Sequence, residues 1–198
     1  VGLLTHIGIE GKLLDQRYMS PRADQSYDSS FGQCVRWDED VVVLGRGARW
    51  GESSFGWMVR LDASGRKVWE TTDDLTSSAG DALQMPDGSL LMLTSRPTNR
   101  LVIVNNKGAL LFQSPLPSEP RLLNPTVSSS IVTFMTVNID NGQKTLWRFD
   151  AEHREMTHAE ISEKNGIASI SSAYELSDHS VILFGSTDAY KGVAHGAS

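Results

Sequence analysis

The chain has 198 residues, 39% of them hydrophobic and 21% charged, which fits one folded domain with a sizeable core and excludes a disordered or collagen-like chain. Eighteen Lys and Arg against 24 Asp and Glu leave a net charge of −6, which argues against a nucleic-acid partner, because phosphate binding needs clustered cations. A single cysteine, Cys34, excludes an internal disulfide, and no apolar run reaches the roughly 18 residues of a membrane-spanning helix.

The first residues, Val1-Gly2-Leu3-Leu4, carry no basic segment and no cleavage site. They do not read as a signal peptide, and the missing initiator Met suggests a mature or trimmed chain. The first strand pair follows at Leu4–Leu14, turning at Gly11. Asp15 to Gly32 then reads as a long loop containing Arg17, Tyr18, Arg22, Tyr27 and Phe31. A second kind of hairpin spans Val35–Gly45 with Asp38-Glu39-Asp40 as a solvated turn, and Cys34 at its entry reads as a buried structural thiol. Gly45 to Gly56 is the second long loop, with Arg46, Arg49, Trp50 and Phe55.

The first kind of hairpin returns at Met58–Trp69, turning at Gly65. The second returns at Leu83–Leu93 around Pro86-Asp87-Gly88, a strong turn signal. Leu101–Phe112 turns at Gly108, and Thr126–Phe134 turns at Ser128–Ser130. Asn138–Gly142 reads as a connecting turn. Leu146–Met156 puts His153 where the other copies have glycine, which predicts a different turn there. Tyr174–Gly185 is the last hairpin, and a loop with Tyr190, Lys191 and His195 ends the chain.

The two kinds alternate, so the chain is a repeat. With the Val35-type hairpin as strands A and B and the Met58-type as C and D, the order is CD, AB-CD, AB-CD, AB-CD, AB. The fold class expected is all-β: a β-propeller of four-stranded antiparallel blades in one domain, residues 1–198. The two terminal half-blades would close a four-bladed ring. The alternative is a fragment of a larger propeller. Propellers remove exposed strand edges by this radial repetition.

Gly56–Glu70, with its Leu61-Asp62 pair, turn glycine Gly65 and closing Trp69, resembles quinoprotein-like (PQQ-like, WD-type) propeller repeats. Phe112 replaces Trp69 in the next copy, and the first and last copies lack an aromatic there. The resemblance covers most of the chain as a repeat shape. It implies a propeller and, frequently, an extracytoplasmic (periplasmic) bacterial setting. It does not imply a quinone: members that bind one use vicinal cysteines and metal ligands, which one cysteine cannot supply. No cofactor is expected.

The five histidines, His6, His153, His158, His179 and His195, show no strand or helix pairing, so no metal site is expected. No G-x-S-x-G elbow and no phosphate-binding glycine loop occurs. The predicted inner strands bring only Cys34, Arg36, Asp81, Gln84 and Glu175 toward a central channel. That leaves the long loops, where binding residues usually sit on a rigid scaffold. Tyr18, Arg22, Tyr27, Arg46, Arg49, Trp50 and Tyr190 are the binding candidates, because Tyr, Trp and Arg dominate interface hot spots. The expectation is a non-catalytic module engaging a protein partner, such as an inhibitor, immunity or assembly protein. The alternative is an enzyme or carbohydrate binder using the channel.

Overall fold

The computed structural model describes residues 2–7, 9–19, 27–49, 55–73, 79–95, 98–123, 130–138, 140–161, 169–176, 178 and 180–186. Every described element is a strand. They are β1 (Gly2–Ile7), β2 (Leu13–Met19), β3 (Tyr27–Trp37), β4 (Asp40–Arg49), β5 (Phe55–Leu61), β6 (Lys67–Asp73), β7 (Ala79–Gln84) and β8 (Leu90–Thr94). Then come β9 (Arg100–Val104), β10 (Leu110–Pro115), β11 (Glu119–Leu122), β12 (Ile131–Val137), β13 (Lys144–Asp150), β14 (Glu155–Ile161), β15 (Ser169–Glu175) and β16 (Val181–Ser186).

Three sheets have four strands each, in the orders β3-β4-β5-β6, β7-β8-β9-β10 and β11-β12-β13-β14. β1-β2 and β15-β16 are two-stranded sheets at the two ends of the chain. The fold is the propeller class read from the repeat: three whole blades and two half-blades, in the CD and AB phases expected. The chain divides into two compact units, Val1–Pro120 and Arg121–Ser198.

The turns show why the repeat holds. Gly11, Gly65, Gly88 and Gly108 all have φ between 75° and 78°, where only glycine sits without strain. An Asp or Asn three residues before Gly65 or Gly108 fastens the turn: Asp62 Oδ1 accepts from Ser64 N and Arg66 N, and Asn105 Oδ1 from Lys107 N and Ala109 N. The Ser64 hydroxyl and the Arg66 amide, bonded to Asp62, lower its pKa to about 2. The fourth copy differs as its sequence predicts. His153 replaces glycine, the positive φ moves to Arg154, and Asp150 receives both the His153 amide and its ring Nδ1 at 2.9 Å.

Three expectations are corrected. First, the loops Asp15–Gly32 and Gly45–Gly56 are largely strand: β2 runs on to Met19, β3 starts at Tyr27, β4 reaches Arg49 and β5 starts at Phe55. Second, the A strand of the third blade is β11, upstream of the expected Thr126–Phe134 hairpin. Pro120 hid it; β11 is an edge strand, where a residue without an N–H costs no ladder bond. Residues 124–129 lie outside the described set. Third, Cys34 is exposed. The alternation of β3 turns Val35 and Trp37 into the core and Cys34 and Arg36 out of it.

In the first unit the core lies between blades. Trp37, Val42, Leu44 and Met58 of the first blade pack on Ala82, Leu90, Met92, Val102 and Val104 of the second. Leu90, Leu91, Met92 and Leu93 are buried in succession, the mark of a strand covered on both faces. Each such side chain contributes about 1.5–3 kcal/mol by leaving water. Polar fastenings border this apolar contact. Trp37 Nε1 donates to Gly88 O at 2.8 Å. Trp69 Nε1 and Arg60 both donate to Asn106 O, at 3.0 and 3.1 Å. Arg60 also pairs with Asp40 at 2.7 Å and lies over the Trp37 ring, 5.1 Å from its centroid. Asp38 and Gln84 exchange two bonds, at 2.9 and 2.6 Å. The acidic turn Asp38-Glu39-Asp40 is therefore a blade-to-blade fastening as well as a solvated turn.

In the second unit, Met135, Val137 and Leu146 of the third blade pack with Ile170, Ala173, Val181 and Leu183 of the last hairpin. Phe134, Trp147 and His158 form a ladder of rings across β12, β13 and β14. Trp147 Nε1 donates to Thr136 Oγ1 at 2.9 Å.

Three outcomes follow. A Cβ on Gly108 would meet the Trp69 ring at 3.3 Å, whereas one on Gly11 would meet nothing within 4 Å, at nearly the same φ. Gly11→Ala should cost about 1 kcal/mol from backbone strain, and Gly108→Ala roughly 1 kcal/mol more, in urea unfolding. Arg60→Met, which strands the half-buried Asp40 carboxylate, should cost about 1–3 kcal/mol; adding Asp40→Asn should restore part of that loss. His153 is held above 6.5 by the hydrogen bond to Asp150, and Asp150 is held below 3.8 by the same contact. The histidine's share of stability is present below pH 6.5 and lost as pH rises through its folded value. The aspartate's share is present above pH 3.8 and lost as pH falls through its own. An NMR titration should place the His153 midpoint above 6.5, and Asp150→Asn should return it to the ordinary value.

Candidate functional site

The first blade carries a long two-stranded ribbon, with 11 residues in β3 and 10 in β4. The β3–β4 ladder runs from Trp37↔Asp40 to Tyr27↔Arg49, and the described β4–β5 ladder from Val41↔Leu61 to Gly47↔Phe55. Ten-residue β4 is about twice the usual strand length.

Two glycines shape the base of the ribbon. A Cβ on Gly45 would meet Ser30 O at 2.5 Å and the Phe31 ring at 3.2 Å, and one on Gly47 would meet the Phe55 ring at 2.4 Å. The Gly45-x-Gly47 spacing puts both bare positions on one side of β4, so two aromatic rings lie against the backbone there. Phe31 also stacks on Trp57, with centroids 4.7 Å apart. Trp57 is oriented in turn by its Nε1 bond to Glu70 at 2.8 Å, and Met19 of β2 joins the same apolar cluster.

Around this base the candidates fall as follows. Tyr18 is 74% exposed on β2, beside Met19 and opposite Leu3. Arg46 is exposed on β4, opposite Ser30 on one side and Gly56 on the other. Tyr27 and Arg49 are cross-strand partners in the ladder, a pairing invisible while both were assigned to separate loops. Arg22, Trp50 and Tyr190 lie outside the described residues. The half-buried Phe31 and Phe55 were noted only as loop aromatics; the glycine pair opposite them was the signal that they pack on a strand.

The inner-strand set has other uses. Gln84 is committed to Asp38, and Arg36 donates to Asp38 O at 2.9 Å and lies 3.7 Å from Glu39. Gln33 Oε1 is buried with no hydrogen-bond partner among the described residues. A donor outside the described residues, a water included, can satisfy it. Among the described residues no three His, Cys, Asp or Glu side chains converge on a point that could hold a metal ion. No described helix is long and apolar enough to cross a membrane.

A cavity of about 170 Å³ lies where β1–β2 meets the first blade, lined by Thr5, Asp15, Val41, Leu61, Asp62, Ala63 and Gly65. Arg17 bridges the same junction: it is paired with Asp15, and its Nη1 donates to Gly65 O at 2.8 Å.

No protein-family model matches the chain, and no curated protein does. Solved structures do. One is a protein of unknown function from Bacteroides caccae, 11% identical with a TM-score of 0.50 over 93% of this chain and 64% of that one. Another is the β-propeller domain of the Trilobed protease from Pyrococcus furiosus, which has an open velcro topology. It is 14% identical with a TM-score of 0.49, over 67% of this chain and 43% of that one. The chain thus spans less than two thirds of either structure, and at these identities the likeness concerns the fold alone.

Proposed function

We propose that the chain is a non-catalytic binding module that engages a protein partner through the ribbon end of its first blade. The observation that carries this reading is the long β3–β4 ladder, on which Arg46 is exposed and Tyr27 pairs with Arg49. A ribbon whose base packs Phe31, Phe55 and Trp57 holds Arg46 at low ordering cost, which favours binding by preorganisation. Tyr18, exposed on β2, and Arg22, Trp50 and Tyr190 complete the candidate set. Inhibitor, immunity and assembly proteins all fit this class.

We further assign the repeat to the quinoprotein-like group, and with it a bacterial, extracytoplasmic setting. The support is Trp69, which closes its blade and reaches the Asn106–Gly108 turn of the next.

The reading is tested with the intact chain as bait. Retained proteins are identified by mass spectrometry, re-expressed and measured by calorimetry against wild type and an Arg46→Ala, Arg49→Ala, Trp50→Ala variant. The variant should weaken binding at least tenfold, or by about 1.4 kcal/mol, with an unchanged melting temperature. Equal affinity for both proteins would remove the ribbon from the interface.

A further inference from the structure

The described glycines of positive φ are Gly11, Gly65, Gly88, Gly108 and Gly142. The residues before them are Glu10, Ser64, Asp87, Lys107 and Asn141. Gly142 alone among these follows an asparagine, in the turn that joins β12 to β13. An asparagine before glycine is the arrangement in which a backbone amide most readily attacks the preceding side chain, because glycine has no Cβ to obstruct the five-membered ring that forms.

Four bonds shape this turn. Asn138 N donates to Gln143 O at 2.9 Å, and Gly142 N donates to Asn138 O at 2.8 Å. Asn138 Oδ1 accepts from Asp140 N at 2.9 Å, and Asn141 Oδ1 accepts from Gln143 N at 2.9 Å. The last bond folds the Asn141 side chain forward over the Gly142 peptide. It also bears on reactivity. Attack of Gly142 N on Asn141 Cγ would drive negative charge onto Oδ1, and the Gln143 N–H already donates to that oxygen at the distance of an effective oxyanion donor. Asn141 is exposed, so water reaches it. A Cβ on Gly142 would meet nothing within 4 Å, so a closing ring has room. One contact opposes the reaction: the attacking N–H is held by Asn138 O. The net worth of one such bond slows a reaction by a factor of about ten or less.

We propose that Asn141 is a site of spontaneous deamidation in the folded protein. Gly142 N forms a bond to Asn141 Cγ, its proton passes to solvent, and the side-chain amide nitrogen leaves as ammonia. The product is a succinimide, which water opens. Hydrolysis of the bond to Cγ gives aspartate in an unchanged backbone. Hydrolysis of the bond to the backbone carbonyl carbon gives isoaspartate, whose chain runs through Cγ. Aspartate keeps an acceptor for Gln143 N and adds a negative charge beside Asp140. Isoaspartate adds one backbone carbon to a turn that closes Asn138 on Gln143 and pairs Val137 with Lys144.

The test holds the intact folded protein and the same chain in urea side by side, in mildly alkaline buffer at body temperature, and maps peptides by mass spectrometry. The urea sample gives the reference rate, with Asn165-Gly166 as a second Asn-Gly pair in the same chain. Asn141 in the folded protein should convert within about tenfold of its rate in urea. Gly142→Ala should slow conversion at least about tenfold, a difference read in urea as well, where folding of the variant has no bearing. Folded Asn141 that stays intact while the urea sample converts would overturn the site. An unchanged rate in Gly142→Ala would overturn the succinimide route.

Discussion

Two backbone carbonyls on the second blade, Gly88 O and Asn106 O, anchor the first unit. Apolar faces such as those of Val42 and Leu90 adhere without direction, and two flat sheets held that way alone can slide. The indole N–H groups of Trp37 and Trp69 remove that freedom, because each reaches a carbonyl in a turn whose shape a glycine imposes. Arg60 joins both halves of the arrangement: its guanidinium holds Asp40 within the first blade and Asn106 O on the second, and lies over Trp37. A charge held among partners in this way contributes more to a single register than to raw stability.

Much of this fold is written as punctuation. Gly11, Gly65, Gly88 and Gly108 are required by backbone geometry, so their spacing revealed the hairpins and the phase of the blades. The substitution of His153 correctly marked a different turn. What stayed hidden was governed by neighbours. The side of β3 on which Cys34 falls depends on which strand pair covers that face, and local pattern carries no record of it. β11 was obscured by Pro120, whose cost vanishes at an edge. Its four residues are also too few for alternation to register.

The candidate site was legible in residue type and misjudged in form. Tyr18, Arg46, Tyr27 and Arg49 were chosen as loop residues of binding character. The structure places them on strands, where a ladder fixes their spacing. Gly45 and Gly47 fall within the expected loop, and glycine weakens a strand. Here it does so in order to admit Phe31 and Phe55, whose rings occupy the volume a side chain would need. The packing at the base of the ribbon thus depends on two missing methyl groups.

The bulge at Gly32 has a consequence for chain length. It is the surplus residue between the stretch from Gln33 to Trp37 and the stretch that ends at Phe31. The ladder pairs Phe31 with Gly45 and Gln33 with Leu44, successive positions of β4, so losing the surplus residue would leave a regular ladder with every side chain on the face it already occupies. A single in-frame codon deletion there would therefore relax the local twist and leave both faces of the strand as they are. The same holds at Gly80 and Ser171, which lie in the corresponding bulges of β7 and β15.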